Sequence, residues 1–127
     1  MNRPLKGRTG LDRLVHACLN SWNGLRLAYA GESAFRQEIW AGALLVPAAF
    51  WLGRGPMEIA LLVAAVLLVL IVELLNSAVE AVVDRVSLEW HELSKRAKDI
   101  GSAAVLLALF LCASLWLAVA AERVMAQ

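Results

Sequence analysis

Apolar positions along the chain form two long runs and a weaker one. Ile59 to Val72 contains no polar residue, and further helical turns extend it to Asp84. Ile100 to Ala121 is interrupted only by Gly101, Ser102 and Ser114. Each run is long enough for a membrane-spanning helix, which needs about 20 mainly apolar residues. The weaker candidate runs from Phe35 to Leu52 and contains Gly42 and Pro47. Membrane helices tolerate proline because neighbouring groups re-satisfy the freed backbone. The pattern predicts spans over about residues 35–53, 57–84 and 98–121.

The segment GLDRLVHACLNSWNGLRLAYAGE, ahead of these spans, has a different rhythm. Leu11, Leu14, Val15, Cys18, Trp22, Leu25 and Tyr29 follow the i, i+3, i+4, i+7 spacing of one helix face. Asp12, Arg13, His16, Asn20, Asn23 and Arg26 fall largely on the other face, although Leu19 and Leu27 interrupt the division. An amphipathic helix is predicted over about residues 9–30, with Thr9 as its N-cap and Gly31 as the break after it. Such a helix lies on a membrane surface, with Trp22 and Tyr29 at headgroup level. A plain surface anchor with a solvated His16 satisfies this pattern as well as a catalytic part does.

Composition supports the membrane reading. Hydrophobic residues make up 61% of the 127, and mean hydropathy is +0.66; soluble domains lie near one-half apolar. A single all-α domain spanning residues 1–127 is expected at this length. The first 34 residues contain no apolar core followed by a small-residue cleavage site, so all three spans are expected to remain in the mature protein. Six Lys or Arg lie between Met1 and Arg36 and four between Arg85 and Lys98, against Arg54 in the GRGP turn and Arg123 near the end. That division, ten against two, predicts a cytoplasmic N-terminus and an external C-terminus. The net charge of +1 gives no case for nucleic acid, because the basic residues spread along one membrane face. Cys18 and Cys112 match no metal or redox spacing.

The second span carries the candidate chemistry. IVELLNSAVEAVVDR places Glu73, Asn76, Ser77, Glu80 and Asp84 in its last turns. At 100° per residue all five share a stripe about 100° wide, and Glu73 lies roughly 16 Å deeper than Asp84. An ionised carboxylate inside a bilayer costs roughly 3 kcal/mol on insertion scales. Glu32, Arg36, Gln37 and Glu38 at the start of the first span, and Lys98, Asp99 and Ser102 at the start of the third, belong to the same level.

Three readings fit such a stripe. Polar residues can act as interhelical glue, which suits Asn76 and Ser77 but not several acids. Acids can form a proton relay in a small transporter, although nothing polar continues the path through Ile59 to Val72. Clustered carboxylates can also hold Mg²⁺ together with phosphate oxygens, beside a lysine and a dehydrated general base. The sequence lacks both the GxxxxGK[ST] phosphate loop and the HRD and DFG motifs of protein kinases, so phosphoryl transfer would need another scaffold.

ESAFRQE, IVELLNSAVEAVVDR and HELSKRAKDIGSAA, in this order and spacing, closely resemble the small, trimeric, integral-membrane diacylglycerol kinases of bacteria. The likeness runs from about Leu11 to Leu117. It implies an inner-membrane homotrimer, each chain with a surface helix and three transmembrane helices, with active sites shared between protomers. It also implies Mg²⁺-dependent transfer from ATP to the hydroxyl of sn-1,2-diacylglycerol, giving phosphatidic acid. By the resemblance Glu73 is the general base, assisted by Asn76 and Lys98, and Glu32 and Glu80 are metal ligands. Asn20, Glu32, Glu80, Glu89, Trp90, His91, Lys98 and Asp99 contact ATP. Arg13, Ala17, Ser21, Trp22, Arg26, Ala34, Phe35, Gln37, Glu38, Trp51, Glu73 and Ser102 line the lipid site. Asn20, Trp90 and Lys95 depart from the family pattern, which commonly has an aromatic residue, a tyrosine and a small residue there. A related branch phosphorylates undecaprenol; the AFRQE segment favours the diacylglycerol branch.

Overall fold

The computed structural model describes Gly7 and residues 9–127. Arg3, Lys6 and Arg8, which enter the charge division, lie outside the described residues. The described chain is helical throughout, in four elements: α1 (Gly10–Gly31), α2 (Ser33–Leu52), α3 (Pro56–Val86) and α4 (Glu92–Met125). α3 packs most extensively on α4 and next on α2, while α1 rests lightly on α2.

The joints follow from local chemistry. Thr9 is the N-cap of α1, but its side chain makes no capping bond. The break after α1 falls at Glu32, which is extended at φ −115°, whereas Gly31 remains helical. Arg36 fixes this joint by donating from Nη1 to the carbonyls of Tyr29 (2.7 Å) and Ala30 (3.0 Å). These are among the carbonyls that a helix end leaves without intrahelical partners. α2 continues through Pro47 and stops at Gly53, where an added Cβ would stand 2.6 Å from Ile59 Cγ1. Pro56 opens α3, where its missing N–H costs nothing. Glu58 Oε2 accepts from the Arg54 N–H at 2.7 Å.

α4 starts ahead of the expected transmembrane segment. It begins at Glu92 rather than near residue 98, because His91 caps it, its Nδ1 accepting from the Leu93 N–H at 3.0 Å. The good helix formers of ELSKRAK then carry nearly two polar turns directly into the apolar run.

The core runs along α3. Leu62, Ala65, Val66 and Val69 are buried, as are Phe35 and Ala49 of α2 and Ala108 of α4. Gly42 lets α2 approach Val66, since a Cβ there would lie 3.1 Å from Cγ1. Trp116 Nε1 donates to the Leu62 carbonyl at 3.2 Å, tying α4 to α3. At the far end Arg54 donates to the Glu122 carbonyl (2.9 Å) and Arg123 to that of Leu52 (3.1 Å). The Arg123 guanidinium also lies 5.2 Å from the centre of the Trp51 ring.

Among the described residues, α3 and α4 are long and apolar enough to cross a membrane, with best 18-residue windows of mean hydropathy 2.8 and 2.5. α2 does not reach that standard. Arg36, Gln37 and Glu38 occupy its first turns and leave only Ile39–Leu52 apolar, a stretch about 21 Å long at 1.5 Å per residue. α1 buries no residue, and its Leu11, Leu14, Trp22 and Leu25 are exposed. Leu106, Leu107, Phe110 and Leu117 of α4 are exposed as well.

Candidate active site

The polar stripe faces inward at its deep end. Glu73 is only 5% exposed, the one buried charged or polar residue among those described. The carboxylates of Glu32 and Glu80 act on it electrostatically, and it acts in turn on Glu38. The Glu32 joint and the first turns of α2 therefore bring two further acids to the stripe of α3. One of them, Glu38, has its Oε2 buried without a hydrogen-bond partner. Burying a carboxylate without compensation is costly, so helix packing alone gives no reason for four acids here.

Asn76 sits beside this group. Its Nδ2 reaches Glu80 Oε1 at 3.4 Å, while its Oδ1 is buried without a partner, as is Ser77 Oγ. The Asn76 side chain also fills the space a Cβ at Gly101 would need. A glycine on α4 thus allows α3 to come close at the level of the acids.

Nearer the end of α3 the chain turns back through residues 87–91, and a cleft of about 380 Å³ opens between α3, this turn and α4. Asp84, Glu89, Trp90, His91, Lys95, Lys98 and Asp99 line it. Lys98 Nζ donates to Asp84 Oδ1 at 2.8 Å, joining α4 to α3. Lys95 Nζ donates to Asp99 Oδ2 at 2.6 Å, one turn along α4. Five of the residues expected at the nucleotide, Glu89, Trp90, His91, Lys98 and Asp99, are thereby gathered in one place. Asn20 is not among them; it is half-buried on α1, which packs on α2.

A mainly apolar groove of about 650 Å³ runs between α1 and α3, lined by Ser21, Leu25, Ala28, Glu32, Leu74 and Ser77 among others. It leads from the exposed face of α1 toward the acids. Trp22, Arg26, Tyr29 and Ile39 line a second groove of about 560 Å³ between α1 and α2. Of the residues expected at the lipid, Ser21 lines the first groove and Trp22 and Arg26 the second. Arg13, Ala34, Gln37 and Ser102 are exposed, and Ala17 is half-buried on α1. Phe35, at 1% exposure, is a core residue. Trp51 is held by Arg123 at the opposite end of α2 from Glu32, about 28 Å away at 1.5 Å per residue. Within one chain it is remote from the acids.

Sequence reasoning missed three contributors. Asp84 was on the stripe but had no partner until the fold supplied Lys98. The i, i+4 spacing of Lys95 and Asp99 was visible and is the usual helical ion-pair spacing. Gly101 appeared only as an interruption of an apolar run.

The residues present suit a bound Mg²⁺. No three His, Cys, Asp or Glu side chains among the described residues gather into a metal cage. Mg²⁺ shared with nucleotide phosphates usually takes only one or two carboxylates. Glu32 and Glu80, both acting on Glu73, and the unpartnered Glu38 oxygen provide donors of that kind.

The family model for prokaryotic diacylglycerol kinase matches residues 19–120. The chain belongs to that family. It is 53% identical over 108 residues to the diacylglycerol kinase of Escherichia coli (strain K12), covering 85% of this chain and 88% of that one. The diacylglycerol kinase of Pseudomonas aeruginosa is 53% identical over 113 residues, covering 89% and 92%. That of Helicobacter pylori (strain J99) is 38% identical over 107 residues, covering 84% of each chain. The matched region of a prokaryotic diacylglycerol kinase thus includes the acids of α3, the Lys98–Asp84 pair and the cleft between them.

Proposed function

We propose that this chain is an ATP-dependent kinase that phosphorylates the hydroxyl of sn-1,2-diacylglycerol, giving phosphatidic acid and ADP at the cytoplasmic face of a bacterial inner membrane. The observation that carries the reading is the buried Glu73, surrounded by acids in a member of the prokaryotic diacylglycerol kinases. Residues 1–127 form one membrane-embedded kinase domain. α1 lies on the surface, and α2 crosses the membrane as a third span with α3 and α4. The N-terminus is cytoplasmic and the C-terminus outside. The exposed apolar faces of α4, and the unpartnered buried oxygens of Glu38, Asn76 and Ser77, support assembly into a homotrimer whose sites take residues from neighbouring protomers.

The chemistry follows from depth. Diacylglycerol enters from the bilayer with its hydroxyl at the interface, and the apolar groove between α1 and α3 matches its chains. Glu73, the deepest acid of the stripe, accepts the hydroxyl proton as the oxygen attacks the γ-phosphorus of ATP. Asn76 orients the neighbouring carboxylates. ATP occupies the cleft between α3 and α4, where Lys98 turns from Asp84 toward the phosphates and Asp99, Glu89, Trp90 and His91 bind the remainder. Glu32 and Glu80 would hold Mg²⁺, which would offset charge on the transferring phosphoryl group.

Purified protein incubated with radiolabelled ATP and either diacylglycerol or undecaprenol tests this. Labelled phosphatidic acid is the expected product. Label in undecaprenol alone would assign the chain to the other lipid alcohol, and label in neither would leave a helix-packing or transport protein.

A further inference from the structure

The cleft between α3 and α4 holds more charge than one lysine can manage. Its lining contains three carboxylates, Asp84, Glu89 and Asp99, against the two ammonium groups of Lys95 and Lys98. Both lysines are held by acids of the same chain, at 2.6 Å from Asp99 and 2.8 Å from Asp84. A polyphosphate approaching this cleft meets a surplus of negative charge, and like charges repel. Without Lys95 the surplus would be larger and Asp99 would face the ligand unneutralised.

We propose that Lys95 is a second phosphate-binding residue of this site, which exchanges Asp99 for an oxygen of the nucleotide's phosphate chain. The inference rests on the kinase reading and adds to it a residue outside the set assigned above. The exchange is easy. The Lys95 and Asp99 side chains are 63% and 64% exposed, and exposed pairs of this kind are weakly held. A charge-assisted bond to phosphate is stronger than one between neutral groups. Lys95 lies one helical turn before Asp99 and lines the same cleft as Lys98, so one phosphate chain has access to both ammonium groups.

The test uses the full-length protein, Lys95→Met and Lys95→Arg. Equilibrium binding of a non-hydrolysable ATP analogue should weaken roughly tenfold in Lys95→Met, and KM for ATP should rise by a similar factor. Lys95→Arg, which keeps the charge, should bind within about twofold of the original protein, whereas loss of a merely structural pair would leave all three alike. Analogue affinity in Lys95→Met within twofold of the original would overturn the proposal. A rise confined to KM for diacylglycerol would also overturn it, by assigning the lysine to the lipid headgroup. If the unaltered protein binds the analogue but transfers no phosphate to lipid, the kinase reading fails while the binding comparison still decides the role of Lys95.

Discussion

Asn76 occupies the space that a side chain at Gly101 would need. The relationship joins the active stripe of α3 to the first apolar turn of α4, and it makes the position of Asn76 depend on a residue with no chemistry of its own. Gly101→Ala should force the asparagine aside, and overpacking of this kind costs about 1–3 kcal/mol. A lower thermal midpoint in detergent and a fall in kcat are expected together. Asn76→Ala in the same chain should restore the midpoint but not the rate. Restoration of both would show that Asn76 serves only to fill space.

Glu73 and Glu80 should separate in their effects. Glu73→Gln removes the proton acceptor and should reduce turnover by orders of magnitude, with binding of a non-hydrolysable ATP analogue in Mg²⁺ nearly unchanged. Glu80→Gln should weaken that binding as well as the rate. Titrating both variants with the analogue makes the comparison, and an equal loss of affinity in the two would remove the division into base and metal ligand. Both proteins should run as trimers on size-exclusion chromatography.

Lys98→Met should be almost silent in stability and severe in function. Its pair with Asp84 is about half exposed, and such solvent-screened pairs contribute little to stability. The thermal midpoint should therefore barely move while KM for ATP rises at least tenfold. A large drop in the midpoint with unaltered KM would make the pair a structural tie.

Topology is open to direct labelling. In a background with Cys18 and Cys112 replaced by alanine, single cysteines are placed at Gly55, where a Cβ meets nothing within 4 Å, and at exposed Glu92. A membrane-impermeant thiol reagent added to intact cells should modify position 55 and spare position 92. The reverse pattern would put the site on the outer face and rule out cytosolic ATP as its substrate.

The helices and the acidic stripe were legible because they rest on periodicity. Apolar runs, the i, i+3, i+4, i+7 face of α1 and the GRGP turn all act within a few residues of chain. What escaped depends on contacts between helices or on capping. HELSKRAKD reads as a polar connection, yet the ring of His91 turns it into the first turns of α4. The partner of Asp84 belongs to another helix, and no spacing rule pairs residues fourteen positions apart. Phe35 stands between Ala34 and Arg36 in sequence, and its side chain is buried in the core. Trp51, which the resemblance assigns to the lipid site, stands beside Arg123 at the other end of the bundle.

The two ends of the bundle are fastened differently. At the Arg54 end, guanidinium groups grip helix-end carbonyls of Glu122 and Leu52, and Arg123 stacks on Trp51. At the other end, Lys98 and Asp84 meet across α3 and α4 through a half-exposed pair. One end is held by bonds to backbone carbonyls, the other by a side-chain ion pair. Loss of either Lys98 or Asp84 removes the ion pair at that end, whereas the other end keeps one guanidinium–carbonyl bond when either arginine is lost.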